Sequence, residues 1–242
     1  MKHNIVVFIF LSIATAHLLV AQTPLPDNIV HDITMLNFKT SVDSLKQIID
    51  DMQQVKELDN PHLAYWKSYA QYLLYFQVNA DEHVAVQTID MGLSILEDCK
   101  KKNSEHYALQ ALLKGLDISY SRGMTIPFKA AANEKYARKA VELNPNNPRG
   151  YYALAVKDYY TPSAYGGGKI VEENLLKAIS LPDRADPGPY APTWGKGDAY
   201  WYLVMYYDKR KNPDLAKKYL EEGLLVSPDN YGLNRMKKKL EQ

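Results

Sequence analysis

Cysteine is almost missing from this sequence, which has Cys99 alone among its 242 residues. An internal disulfide is thereby excluded, as is a zinc site built on paired cysteines. Cys99 follows Ile95 and Leu96 and reads as a small packed side chain. His31, His62, His83 and His106 are scattered, with no His-Glu-x-x-His pair and no Cys–His spacing. Metal ligation therefore finds no support, and with no Gly-x-Ser-x-Gly elbow either, no catalytic set assembles and no cofactor is expected. Charge of one sign is also missing, since 29 basic residues face 28 acidic ones. Nothing in that balance asks for nucleic acid, and nothing points to an acidic tail. Strand signals are nearly absent as well.

At the N-terminus, Lys2 precedes an apolar stretch that begins at Ile5–Leu11 and continues, interrupted by Ser12, Thr15 and His17, to Val20. With Ala21 as a small residue at the cut and Gln22 as the new N-terminus, residues 1–21 are expected to be a cleaved export signal. The interruptions argue against a retained membrane anchor, which needs about 20 mainly apolar residues. No cysteine stands at the cut to accept a lipid, so the expected product is periplasmic or extracellular, not a lipoprotein, and not inserted in a membrane. Residues 22–35, Pro-bearing, are expected to be extended, and 36–242 to form one helical domain.

Helix punctuation dominates the rest. Val42, Leu45, Ile49 and Met52 recur at helical spacing. Asn60-Pro61, Asn147-Pro148 and Asn212-Pro213 each mark a helix start. The Asn side chain satisfies an orphan N–H of the first turn, and proline at the first helical position loses no donor that would have been used. Between such signals helices are predicted near 61–78, 82–101, 104–122, 128–143, 148–160, 168–181, 196–210, 213–226 and 229–241. Short connections make successive helices antiparallel neighbours.

A two-helix repeat of about 34 residues can be laid on the segment Gly197–Pro228 without a gap. Tyr200, Leu203-Val204 and Tyr207 fall on its first helix, Ala216, Leu220 and Gly223 on its second, and Pro228 closes it. The small Ala216 and Gly223 let the two helices approach, while the larger residues fill the space between units. In the preceding unit Tyr151, Leu154 and Ala155 match the first helix, and Leu175 and Ala178 the second, with an overlong loop from Thr161 to Gly168 between them. Earlier, Ala140 and Pro145 match, whereas Asn133 and Ala137 depart from the pattern; Trp66, Tyr69 and Ala70 indicate another first helix.

On these residues the chain resembles the tetratricopeptide-repeat (TPR) superfamily, most closely from Ala140 to Pro228. The run Tyr159-Tyr160-Thr161-Pro162, Tyr165-Gly-Gly-Gly-Lys169, Leu175–Ile179 and Trp194-Gly195 is similar to a pattern in exported bacterial TPR proteins. A weaker similarity is to the T component associated with tripartite ATP-independent periplasmic (TRAP) transporters. The resemblance implies an all-α, right-handed superhelix of antiparallel helix pairs, about nine to ten helices, with an N-terminal helix and a Lys-rich C-terminal cap. It implies no enzyme chemistry. It also implies a concave face lined by the first helices, here by Arg149, Tyr152, Val156, Tyr159 and Tyr160 in one unit and Asp198, Trp201, Met205, Asp208 and Lys209 in the next.

Tyr, Trp, Met and Arg on such a face have the composition of a binding surface. They are equally what packing against the two long loops would require, because both uses favour rings with a polar tip. The Gly166-Gly167-Gly168-Lys169 run is not a phosphate loop, since Ser163 and Ile170 stand where glycine and Ser/Thr are needed. Its glycines suit a positive-φ turn passing close to the scaffold, and Tyr165 and Lys169 are candidates for ligand contact. The second loop, 182–195, is too rich in proline for a helix, and its Trp194 is either a hydrophobic anchor or part of a pocket rim. Asp50-Asp51, Glu221-Glu222 and the lysine runs at 100–102 and 237–239 read as solvated helix charge. Two functions are compatible with this pattern. One is a scaffold that holds a protein or peptide along the concave aromatic face. The other is a small-molecule-binding periplasmic accessory protein with an aromatic pocket between loop 161–168 and the first helices.

Overall fold

The three Asn-Pro helix starts are built as their chemistry requires. Asn60 Oδ1 accepts from the backbone N–H groups of His62 (3.0 Å) and Leu63 (3.4 Å), Asn147 from Arg149 (2.9 Å) and Asn212 from Leu215 (3.2 Å). Asp81 and Asn103 cap two more helices in the same way, the second through a capping box completed by His106.

The computed structural model describes residues 24–55, 60–185 and 188–240. The expected export signal, residues 1–21, lies outside them. Eleven α-helices follow in order among the described residues: α1 (Asp27–Met35), α2 (Val42–Gln54), α3 (Pro61–Val78), α4 (Glu82–Asp98), α5 (Ser104–Ser119), α6 (Thr125–Leu143), α7 (Pro148–Tyr160), α8 (Val171–Ser180), α9 (Lys196–Lys209), α10 (Pro213–Val226) and α11 (Tyr231–Leu240). Four antiparallel hairpins, α3/α4, α5/α6, α7/α8 and α9/α10, stack into a helical solenoid, with α2 against α3 at one end and α11 against α9 at the other.

The extended segment expected at 22–35 is corrected by α1. Pro26 stands just before the helix, where it breaks nothing, and Ile29, Val30 and Ile33 share a face, with Ile29 wholly buried. Helix α6 begins at Thr125 rather than 128, because Pro127 falls in its first turn and needs no backbone donor there. Helix α8 begins three residues later than 168, after a short 3-10 turn at Ser163–Tyr165.

Gly223 in the Gly197–Pro228 unit is small because side chains of α9 and α11 press against its backbone. A Cβ at Gly223 would stand 2.7 Å from Tyr200 Cβ and 2.9 Å from Leu233 Cδ1. In the α7–α8 loop, Gly166 and Gly168 take φ of 86° and 81°, and a Cβ at Gly167 would collide with the Thr161 carbonyl oxygen. We expect Gly223→Ala to destabilise the protein by about 1–3 kcal/mol through overpacking, outweighing alanine's better helix propensity. Urea unfolding measures the difference; a stabilised variant would refute the close approach.

Candidate ligand cleft

A solenoid of this kind offers a concave face, and in this chain part of that face is covered by the chain itself. After α8, residues 188–195 run back across the first helices as a strap. The Tyr190 carbonyl accepts from Trp66 Nε1 (2.9 Å), and its hydroxyl accepts from the Leu25 N–H (3.1 Å). Trp194 then enters the groove. Its ring stacks on Tyr69 at 4.7 Å between centroids and 19° between planes, and its Nε1 donates to the Tyr65 hydroxyl (2.9 Å). Trp194 is thus the anchor of the strap.

Arg149 holds the strap from below. Its Nε and Nη2 donate to the two Glu105 oxygens, both at 2.6 Å, and its Nη1 donates to the Trp194 carbonyl at 2.6 Å. The side chains are 0% and 2% exposed, so this is a buried bidentate pair tying α5, α7 and the strap together. Removing one partner of such a pair costs about 3–5 kcal/mol, because the other charge is left without compensation. Gly195 has φ of 111°, and a Cβ there would lie 3.2 Å from Arg149 Cγ, so the strap needs glycine where it passes over the aliphatic stem of Arg149.

The groove positions expected from the repeat register therefore meet different fates. Arg149, Tyr152 and Asp198 are buried. Tyr152 packs edge-on against Tyr202 (5.6 Å). Trp201 is half-buried beneath α11, where only a glycine at 232 leaves room for its indole. Val156, Tyr159, Met205 and Asp208 are half-buried; Lys239 pairs with Asp208 (2.6 Å), and Lys209 lies over the Tyr159 ring (5.1 Å). Tyr160, Tyr165 and Lys169 are exposed. Loop 161–168 thus forms no roof over the first helices, and the cleft described next lies elsewhere.

That cleft, about 400 Å³, opens where the two ends of the solenoid approach each other at the strap. Leu36, Phe38 and Lys39 from the α1–α2 connection line one side, Pro228 to Tyr231 the other, and buried Tyr69 and Asp198 with half-buried Trp194 the inner part. Phe38 is set by the Gln77 amide, which donates to its carbonyl (3.2 Å), and by edge contact with Phe76 (5.3 Å). Lys39 Nζ meets Asp229 Oδ1 at 3.0 Å, linking the two sides through exposed side chains. Asp183 Oδ1, also on the lining residues, is buried without a hydrogen-bond partner. Of the sequence-derived candidates, only Trp194 and Asp198 line this cleft. Phe38, Tyr69, Lys196 and Tyr231 were not among them, because the closure of the solenoid leaves no local signal. No group of His, Cys, Asp or Glu among the described residues is placed to hold a metal.

Two buried titratable groups act against each other. Burial pushes the Asp198 carboxyl up to about 6, opposed by the Asn230 amide, which donates to its Oδ1 at 2.7 Å. Burial pulls His106 down to about 4, opposed by the hydrogen bond with the Pro61 carbonyl (2.8 Å).

The chain matches no protein-family model and no curated protein. Among solved structures it is similar to the HusA haemophore from Porphyromonas gingivalis, with 22% identity, a TM-score of 0.60 and coverage of 76% of this chain and 92% of that one. It is also similar to a thermophilic TPR protein of Thermus thermophilus, with 12% identity, a TM-score of 0.58 and coverage of 88% and 97%. At these identities the likeness establishes the fold: an all-helical, TPR-like solenoid.

Asp198 holds its proton to a higher pH in the fold than in the unfolded chain, where it titrates near 3.8. Its burial therefore destabilises the fold fully above pH 6, and that cost is relieved as the pH falls toward 4. His106 works in reverse, its contribution complete above pH 6.5 and lost as the pH falls toward 4. Asp198→Asn, which keeps the acceptor for Asn230, is expected to raise Tm at pH 7 and leave it nearly unchanged at pH 4. Equal gains at both values would contradict the assignment.

Proposed function

We propose that this chain is a non-catalytic helical-repeat protein that binds a small planar ligand in the cleft closed by the strap. The observation that carries the proposal is the stacking of Trp194 on Tyr69, which turns an open groove into a bounded site. Its volume of about 400 Å³ falls in the range of small-molecule sites, roughly 300–1,000 Å³. A polypeptide along the whole concave face would have to displace the strap, and Arg149, Tyr152 and Asp198 are already engaged inside the protein. Of the two functions compatible with the sequence, the small-molecule reading is the one this geometry favours. The weaker resemblance to the T component of TRAP transporters points in the same direction.

Phe38, Trp194 and Tyr231 offer ring faces or edges, and Lys39 and Lys196 offer cations for acidic groups on the ligand. A porphyrin, inserted edge-first with part of the ring in solvent, is the first candidate, supported by the likeness to a protein described as a haemophore. No His, Cys or Met lines the cleft among the described residues, so recognition would rest on the ring rather than on its metal.

The test is titration with haemin and with metal-free protoporphyrin IX, followed by tryptophan quenching and the Soret band. Both should bind, and Phe38→Ala and Tyr231→Ala should each weaken binding on the order of tenfold, the value of one lost aromatic contact. If neither compound binds, or if both variants bind as the parent does, the proposal fails. We further propose that the protein is exported, on the strength of Lys2, the apolar run and Ala21. The secreted product should then begin at Gln22 on N-terminal sequencing; an intact Met1 would refute it.

A further inference from the structure

In stacked antiparallel hairpins, the corners joining first to second helices fall along one edge. Here α7 packs on both α5 and α6, and α8 on α9, so the α5–α6, α7–α8 and α9–α10 corners form that edge. It carries large apolar side chains that stand mostly in solvent. Met124 is 82% exposed, Phe128 74%, Tyr165 84% and Tyr160 66%. Ile126 lies between the first two.

At the first corner the apolar residue does not serve the helix it starts. Met124 is the N-cap of α6 and makes no side-chain cap bond, and the first turn holds no acidic residue. Ser, Asp or Asn at that position would satisfy an orphan N–H, and an acid would complement the helix dipole. The corner therefore gives up local stabilisation and presents apolar surface to water.

The apolar tips lie on the first two corners, and exposed basic residues stand on all three. Arg122 is exposed at the first corner, Lys169 at the second, and Lys209, Arg210 and Lys211 at the third. Exposed acids on these corners are fewer, namely Glu173 and Asp214. Asp117 is held by Lys114 and Lys129, Asp208 by Lys239, and buried Asp158 accepts from the Ile170 N–H. The α3–α4 corner, with Asp81 and Glu82, lies outside this basic stretch.

We propose that this edge docks the protein onto an anionic lipid surface. Met124, Phe128 and Tyr165 enter the headgroup region, and Arg122, Lys169, Arg210 and Lys211 meet lipid phosphates. A plane meets several separated tips at once, whereas an extended polypeptide would have to bridge from corner to corner. The docking is peripheral, since no helix among the described residues is long and apolar enough to cross a membrane. It is independent of the ligand cleft, which is lined by other residues.

Co-sedimentation with sucrose-loaded vesicles tests the proposal, using phosphatidylcholine alone and phosphatidylcholine mixed with phosphatidylglycerol. Binding is expected to the mixed vesicles, weakened by salt. The double variants Met124→Asp/Phe128→Asp and Arg122→Glu/Lys169→Glu should each lower it on the order of tenfold or more. Circular dichroism should be unchanged, because these side chains are exposed. Failure to sediment with the mixed vesicles at low salt overturns the proposal, as does binding that neither variant reduces. Capture of poly-glutamate without vesicle binding would assign the edge to an acidic polypeptide instead. A dimer on size exclusion that the Met124→Asp/Phe128→Asp variant abolishes would assign it to a second copy of the chain.

Discussion

The bidentate pair between Arg149 and Glu105, with the Trp194 carbonyl as third partner, is the contact on which the inner side of the solenoid depends. It joins two helix pairs and the strap at one buried point. A guanidinium in such a place must have its donors used, because an unpaired buried donor on a charged group is expensive. Glu105 takes two directions of the fork and the strap takes a third. The strap is therefore bound to the scaffold by charge as well as by apolar burial.

The aromatic content follows from this arrangement. Tyr65, Tyr69, Tyr72 and Tyr152 are buried around Trp194, so rings that could have lined an open groove instead form its filling. Hydroxyls at their tips remain useful inside, as the bond from Trp194 Nε1 to the Tyr65 hydroxyl shows. The cleft persists where this filling stops and the α1–α2 connection faces the α10–α11 corner.

Much of the scaffold was legible because its signals are local. Asn-Pro pairs cap helices wherever they occur, and Ala216 and Gly223 identify a close helix approach from their size and spacing alone. The helix at Asp27–Met35 was missed because two nearby prolines outweighed a short apolar pattern. The candidate site was read less well. Repeat register placed Arg149, Tyr152, Asp198 and Trp201 on the inner side, but inner-side placement does not decide exposure. Arg149 met Glu105 and is fully buried, and Trp201 met α11 and is half-buried, each through a segment distant in the chain.

The sequence by itself determined the all-helical class, the helix starts, the hairpin repeat and the glycine-dependent turn at 166–168. Each depends on residues within one or two helical turns, or on one period, of each other. Only the tertiary structure decided that strap 188–195 would cross the concave face, that Phe38, Tyr69, Trp194 and Tyr231 would share a cleft, and which rings would stay exposed. The contact between Trp194 and Tyr69 spans more than half of the described chain, and its partners are chosen by packing and charge compensation rather than by any local pattern.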